Sequence, residues 1–181
     1  MKKLLAVSLL ALVAGCSNVD VTHYADKTPA LKLDQYFSGT LDAWGIVQMR
    51  SGEVRRRFHV VVTPTWESPD KGTLDERFVY DDGETQHRVW QLTRGADGTW
   101  QGTAGDVVGQ ASGRVSGNAL HWTYVLRIPM GDSEYDVHFD DWMWLMDEQH
   151  MMNRSVLTKF GVKVGEVTVF FRKRDSAGGR G

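Results

Sequence analysis

The chain has 181 residues, 41% of them hydrophobic and 24% charged, which is the composition of one ordinary globular domain. The formal net charge of −2 argues against nucleic-acid binding, which usually needs a basic surface. Because the sequence has one cysteine, an internal disulfide is excluded.

The N-terminus is typical of a secretory signal. Lys2 and Lys3 give a short basic start, and residues 4–12 form an apolar run that is too short to span a bilayer. Small residues follow at Ala14 and Gly15. We therefore predict that residues 1–15 are a cleaved signal peptide, whose removal would change the formal net charge from −2 to −4.

The only cysteine, Cys16, directly follows the string LVAG, which is similar to the lipobox of bacterial lipoproteins. The resemblance implies that Cys16 is lipidated, and two or more acyl chains suffice for stable membrane anchoring. Ser17 follows the cysteine where an aspartate would imply retention in the inner membrane. We therefore expect a lipid-anchored protein on the periplasmic face of the outer membrane. The alternative is an ordinary signal peptide with an unrelated cysteine.

The remaining chain divides into three predicted segments. Residues 16–33 are expected to form the lipidated N-terminus and a polar tether, and residues 34–174 a single β-domain. Residues 175–181 are polar and predicted to be disordered.

Short alternating segments separated by turn residues fill the β-domain. The predicted strands cover residues 37–48, 54–63, 74–80, 85–93, 99–104, 107–115, 120–128, 134–145, 155–160 and 162–172. A loop rich in proline and glycine is expected over residues 64–72 and a turn over residues 148–153. We predict an all-β antiparallel meander of about 8–10 strands closed into a lipocalin-like barrel, because closure removes exposed strand edges. A two-sheet sandwich is the alternative.

The hairpin around residues 81–83 allows its register to be predicted. A two-residue turn at Asp82 and Gly83 would place Trp90 opposite Asp75, which mismatches the two faces. A three-residue loop with Gly83 in the left-handed conformation sets Leu74 opposite Trp90. The same register places Glu76 opposite Arg88, and we favour it.

The hairpin of residues 118–147 carries the most informative candidate, Asp141. By strict alternation Asp141 shares a face with Val137 and Phe139, which places a carboxylate inside the barrel. A buried carboxylate must be paired or protonated, and Arg56 is a candidate partner. The alternative is a β-bulge at residues 140–141 that turns Asp141 outward.

The interior is predicted to hold a ligand. Glu76 and Arg88 form a second inward pair, which together with Asp141 would make a polar floor for an amphipathic molecule. Trp122, Tyr124, Trp142 and Trp144 are candidates for an apolar wall, although aromatic residues inside a barrel often form plain core.

Metal and catalytic signals are weak. One alternating strand face carries side chains that could bind a cation, namely Glu134, Asp136, His138 and Asp140. A methionine-rich segment could bind Cu(I) through Met143, Met146, Met151 and Met152 near His150. A solvated sheet face and a methionine-filled core are the competing interpretations. His138 and Asp140 could form an acid–base pair, but the strand pattern places them outside. Without a GxSxG or HExxH motif, we predict no catalytic residue, metal or cofactor.

Several longer strings resemble the uncharacterised proteobacterial lipoprotein family known as domain of unknown function 3833. They are YFSGTLDAWG, TWQGTAGDVVGQASG, GNALHWTYVLRIP, FDDWMW and KFGVKVGEVTVFFRK, and the likeness covers about residues 33–174. The resemblance implies an architecture similar to the lipocalin and calycin class, whose members mostly bind small apolar molecules.

The sequence therefore favours an outer-membrane lipoprotein whose barrel binds a lipid or another small apolar molecule in the periplasm. An envelope interaction module without a ligand is the first alternative, and a lipid-modifying enzyme is the second.

Overall fold

The computed structural model describes residues 19–175. The predicted signal peptide, the lipidation site Cys16 and the last six residues of the predicted disordered tail lie outside the described residues.

Ten antiparallel strands make up most of the described chain and form one closed barrel. Each strand pairs with its neighbours in sequence, and the first strand pairs with the last. The prediction of a closed antiparallel meander is confirmed. The strands are β1 (Leu41–Met49), β2 (Val54–Ser68), β3 (Lys71–Tyr80), β4 (Thr85–Arg94), β5 (Trp100–Thr103), β6 (Ala111–Ser116), β7 (Ala119–Met130), β8 (Ser133–Leu145), β9 (His150–Lys159) and β10 (Val162–Lys173).

The up-and-down order gives the barrel two distinct ends. The turns β1–β2, β3–β4, β7–β8 and β9–β10 all lie at one end, together with the longer β5–β6 connection. The remaining turns lie at the other end with the N- and C-terminal parts of the described chain. A short helix α1 (Leu33–Tyr36) and Phe37 close this second end, where Leu33, Tyr36 and Phe37 are each at most 4% exposed.

The predicted polar tether is wrong for its described part. Val21 and Leu31 are buried at 6% and 4% exposure, and a 3-10 helix (Val21–Tyr24) packs against β6 and β7. The Leu31 N–H donates to the Gly117 carbonyl in the β6–β7 turn at 2.8 Å. These apolar side chains gain by leaving water. The 3-10 helix covers the outer face of β6 and β7 beside the closed end, and Leu31 joins the buried cluster at that end.

Two predicted connections are strand in the structure. The expected loop over residues 64–72 is mostly β-structure, because β2 continues to Ser68 and Pro64 pairs with Leu74 of β3. A bulge between Trp66 and Ser68 absorbs the irregular sequence. The expected turn over residues 148–153 is shorter, since β9 begins at His150.

The predicted register of the third and fourth strands is confirmed. Leu74 pairs with Trp90, and Glu76 pairs with Arg88. The Tyr80 N–H donates to the Glu84 carbonyl at 2.9 Å, which leaves a three-residue loop, and Gly83 has a φ of +86°. This register brings Glu76 and Arg88 side by side on the inner face.

Candidate ligand-binding cavity

The barrel encloses a cavity of about 620 Å³. This volume falls within the range of small-molecule sites, about 300–1,000 Å³. Its walls are largely apolar and come from all around the barrel. The wall residues include Val47, Phe58, Val60, Leu74, Phe78, Trp90, Leu92, Leu120, Trp122, Leu126, Phe139, Met143, Leu157, Val167, Val169 and Phe171.

The cavity extends toward the end opposite α1. Tyr80, Glu84 and Pro129, which lie beside the β3–β4 and β7–β8 turns, line it there. We call this end the mouth. Three of its hairpins expose large apolar side chains to solvent, with Phe160 of the β9–β10 turn the most exposed at 89%. The others are Met49, Val54, Met130 and Val162.

A buried arginine organises the polar part of the wall. The Arg88 Nε lies 3.0 Å from both carboxylate oxygens of Asp106, and its Nη2 donates to Asp106 Oδ2 at 2.7 Å. Its Nη1 lies 3.7 Å from Glu76 Oε2, beyond hydrogen-bond distance. Burial alone would lower the pKa of Arg88, but the hydrogen bonds to Asp106 and the charge of Glu76 raise it. Arg88 is therefore a fixed cation whose donors already face two carboxyls.

Asp106 reaches this site from the connection between β5 and β6. This connection forms a bridge between Val107 and Leu126, and the Arg127 N–H donates to the Asp106 carbonyl at 2.9 Å. Because β5 and β6 are short, the connection completes the barrel wall beside β7 and turns the Asp106 side chain inward.

Asp141 points into the barrel, as strict alternation predicts, and is 4% exposed. Its Oδ1 accepts hydrogen bonds from Asn153 Nδ2 at 3.0 Å and from the Ser155 hydroxyl. Its Oδ2 accepts one from the Tyr124 hydroxyl at 3.2 Å. All three donors are neutral. Burial raises the pKa of Asp141 to about 6, although the hydrogen bonds from Asn153 and Tyr124 oppose the shift.

Glu76 lies deep in the same wall. Burial raises its pKa to about 7, and the neighbouring charges of Asp106 and Asp141 add to the increase, while Arg88 opposes it. Burial also raises the pKa of the Tyr124 hydroxyl well above its usual value, so Tyr124 acts as a neutral donor. The polar wall thus holds two carboxyls whose ionisation is made costly by burial.

Two of the four predicted aromatic candidates line the cavity. Trp122 and Tyr124 project inward from β7, where both contact Trp90 edge-on at centroid distances of 5.9 and 5.4 Å. The Trp122 ring occupies the space beside Gly102 and Gly113, since a Cβ on either residue would come within 2.7 Å of that ring. Small residues on β5 and β6 therefore make room for the indole.

The prediction that Trp142 and Trp144 line the cavity is wrong. Both lie on the outer face of β8, stacked at a centroid distance of 6.0 Å, and both contact the Tyr24 ring. The physical reason is the two-residue period of a strand, which points both side chains away from the inward Asp141. They hold the N-terminal segment against the barrel.

Arg56 lines the cavity but does not pair with Asp141, so that predicted pairing is wrong. Its Nη2 donates to Glu84 at 2.8 Å and to Asp82 at 3.1 Å, and its guanidinium lies 3.7 Å from the Tyr80 ring centroid. The reason is its position along β2, which places it at the mouth beside the β3–β4 turn. The predicted Glu76–Arg88 pairing, by contrast, is present.

Sequence reasoning missed three polar residues of the site. Asp106 lies in a connection with no periodicity, and Asn153 lies where a turn is predicted. Ser155 was placed on a strand, but only the pairing of Ser155 with Asp141 shows that it faces the carboxylate. For Asp106 the available signal was a lone acidic residue in a glycine-rich segment.

The metal and catalytic alternatives gain no support from the described part of the chain. Within residues 19–175 no group of three or more His, Asp or Glu residues is placed to hold a metal ion. Met143 lines the cavity and Met151 is fully buried, whereas Met146 is 59% exposed, so these thioethers do not converge. Asp140 lies on the outer face, where His121 Nε2 is 2.7 Å from its Oδ1.

Solved structures with a similar fold share little sequence with this chain. An S-type phycobiliprotein lyase, CPES from Guillardia theta, matches with a TM-score of 0.58 at 9% identity, over 82% of this chain and 95% of that one. A protein of unknown function of the DUF3598 family from Nostoc punctiforme matches with a TM-score of 0.55 at 11% identity. That match covers 81% of this chain and 50% of the other. A de novo designed fluorescence-activating β-barrel matches with a TM-score of 0.44 at 11% identity, over 80% and 99% of the two chains.

The first two matches, with TM-scores above 0.5, show a common barrel fold and no more. No curated protein matches this sequence. Within residues 19–175 no helix combines the length and apolar character needed to cross a membrane. The sequence model of a family described as protein of unknown function (DUF3833) matches residues 10–173, which is nearly the whole chain. This protein therefore belongs to the DUF3833 family.

Proposed function

We propose that this protein binds a lipid or another small apolar molecule inside its barrel. The cavity of about 620 Å³, with apolar walls and one polar patch, is the observation that carries the proposal. A few fixed polar groups in a largely apolar site orient an amphipathic molecule while its apolar part is removed from water. An open interior supports this function over that of an interaction module with a packed core.

The proposal includes the location of the protein. The lipobox-like string before Cys16 supports acylation of that residue, and Ser17 supports the outer membrane as the destination. The barrel would then hold its ligand in the periplasm, at a membrane surface. Expression with Cys16 replaced by Ala tests this part, because the variant should leave the membrane fraction, and intact mass should show the loss of the acyl chains. A Cys16→Ala protein that stays with the membrane would contradict anchoring at this residue.

Binding is tested with N-phenyl-1-naphthylamine, a neutral apolar probe whose fluorescence increases out of water. Refolded, delipidated protein should bind it saturably with a stoichiometry near one. The cavity-filling variant Val60→Phe should reduce binding, since Val60 lines the cavity on β2. Its matched control is Val61→Phe, because strand alternation points Val61 to the outer face.

Circular dichroism must first show that both variants retain the β-barrel signal. Equal probe binding by the two variants, or no saturable binding by the parent protein, would contradict the proposed function.

A further inference from the structure

The polar wall of the cavity holds more negative than positive charge. Three carboxyls, those of Glu76, Asp106 and Asp141, surround one guanidinium, that of Arg88. Arg88 donates hydrogen bonds to Asp106 through Nε and Nη2, and its Nη1 faces Glu76. This part of the wall therefore holds three acids and one cation, and an anionic group that reached Arg88 Nη1 would lie beside Glu76 as well.

The other two arginines that line the cavity each form an ion pair, and the Nε of Arg56 is buried without a hydrogen-bond partner. Arg56 at the mouth contacts Asp82 and Glu84. Arg127 binds Asp136 on the outer face, with its Nε 3.0 Å from the carboxylate. A fatty acid or phosphate group at the polar wall would lie beside the carboxyls of Glu76, Asp106 and Asp141, and like charges at short range repel each other.

Neither Asp141 nor Glu76 accepts a hydrogen bond from a cation. Asp141 accepts only from the neutral groups of Tyr124, Asn153 and Ser155, and the nearest guanidinium nitrogen to Glu76 is at 3.7 Å. A buried anion of this kind is stabilised when a cation enters and shares the low-dielectric environment. The aromatic rings of Trp90, Trp122 and Tyr124 around it also suit a cation, whose charge attracts ring faces.

We propose that the ligand of this cavity is a cationic amphiphile, an apolar molecule whose protonated amine is received by the carboxylates of Glu76 and Asp141. The inference rests on the proposed binding function and specifies the chemical class of the ligand. The apolar part lies against the wall residues between the carboxylates and the mouth.

The affinity for such a ligand depends on pH in a defined direction. The ionisable groups facing the amine are Glu76 on β3, Arg88 on β4, Asp106 before β6, Tyr124 on β7 and Asp141 on β8. Arg56, Tyr80, Glu84 and Arg127 line the mouth. Burial raises the carboxyl pKa values of Glu76 and Asp141, to about 7 and about 6. An ammonium group binds their ionised forms, so affinity should rise from pH 5 to pH 8.

The test compares three probes that share one alkyl chain: dodecylamine, dodecanol and dodecanoate. Each displaces N-phenyl-1-naphthylamine from the delipidated protein below its micelle concentration at pH 7.5. We expect dodecylamine to displace the probe at a concentration roughly tenfold or more below that of dodecanoate, the factor that one well-placed buried charge contact supplies. Glu76→Gln and Asp141→Asn should each reduce this preference, measured as the ratio of the dodecanoate to the dodecylamine concentration that displaces half of the probe.

Asp75→Asn is the matched control, since Asp75 neighbours Glu76 on β3 but points outward to His87. This variant should keep the full preference for the amine. Two variants are used so that a folding failure of one leaves the other informative. The inference is overturned if dodecanoate displaces the probe as well as dodecylamine does, or if the preference survives in both cavity variants. In those cases the proposed binding function stands, whereas absence of displacement by all three compounds, or of probe binding, refutes both.

Discussion

Two buried aspartates have pKa values shifted in opposite directions at similar exposure. One lies in the cavity, and the other lies on the outer face where β1 pairs with β2 and β10, a place that we call the outer seam. Asp42 on β1 is 7% exposed and Asp141 on β8 is 4% exposed. Hydrogen bonds from Arg174 and His59, with Arg174 the larger contributor, overcome burial and lower the pKa of Asp42 to about 2. Burial raises the pKa of Asp141 to about 6.

The difference lies in the partners and in the depth of the site. The Arg174 guanidinium contacts both oxygens of Asp42, at 2.7 and 2.8 Å, and the side chains of Arg174 and His59 are themselves 47% and 36% exposed. Asp42 itself is buried, but the side chains of Arg174 and His59 that cover it are partly exposed to water. Asp141 has neutral donors and an apolar surrounding, so its charge is uncompensated. Asp42 therefore stabilises the fold through an ion pair, whereas the ionised form of Asp141 has no cation among its hydrogen-bond donors.

Removing the cavity arginine should have the largest effect on stability. Arg88→Met leaves Asp106 and Glu76 without their cation, and breaking a buried pair in this way costs about 3–5 kcal/mol. Urea unfolding at pH 8 should show a loss of this size, and a smaller loss at pH 5, where protonation relieves Glu76. The comparison variant is Arg174→Met on the outer seam, which should lose less because water reaches the Arg174 side of that pair. Equal losses in the two variants would remove the distinction between the sites.

Neutralising Glu76 should change the free energy of unfolding by an intermediate amount. The change should be a gain in stability, opposite to the loss expected for Arg88→Met. The pKa of Glu76 is about 7 in the folded protein and near 4.5 in an unfolded chain, so the folded state binds the proton more tightly. The free energy of unfolding of the ligand-free protein should therefore fall as pH rises from about 4.5 to 7.

Glu76→Gln removes this dependence and should be more stable than the parent at pH 8, by on the order of 2 kcal/mol, with little difference at pH 4. Thermal unfolding of the parent and the variant at pH 8 and pH 4 measures this difference in stability. A variant that is less stable than the parent at pH 8 would show that the Glu76 charge is well compensated.

The smallest change in stability is expected for a variant at the outer seam, Arg174→Gln. Arg174→Gln removes the main hydrogen-bond donor to Asp42, so the carboxyl pKa should rise from about 2 toward its ordinary value. Stability from this pair is present above the unfolded pKa and lost as pH falls through about 2, so the parent and variant should converge in acid. NMR titration of the Asp42 carboxyl carbon checks the shift. An unchanged pKa would mean that His59 alone holds the charge.

The period of the strands predicted much of this molecule and also exposes an inconsistency in the predicted site. Alternation places Asp141 inside, and the loop length at Gly83 fixes Glu76 beside Arg88, and both expectations agree with the structure. Yet the alternation that brings Asp141 inward must send Trp142 and Trp144 outward. An aromatic ring suits an apolar wall, but the positions of Trp142 and Trp144 on the strand place both rings outside the cavity.

The remaining errors arise where side-chain position depends on distant parts of the chain. The partner of Arg56 depends on its height along the barrel, which the stagger of the closed sheet determines. Asp106 reaches the cavity because a connection crosses a gap left by two short strands, and no local pattern encodes this. The burial of Val21 and Leu31 likewise requires a surface that only the complete barrel supplies.

The docked N-terminal segment has a consequence for how an anchored protein would be oriented. Val21 lies buried at the closed end, and only five peptide links separate it from Cys16, a span of at most about 18 Å. With acyl chains on Cys16, the closed end would face the leaflet that holds them, and the mouth, with Phe160 and Met130 at its edge, would point away. A ligand would then enter and leave on the side remote from the anchoring membrane, which suits exchange across the periplasm better than extraction from the protein's own leaflet.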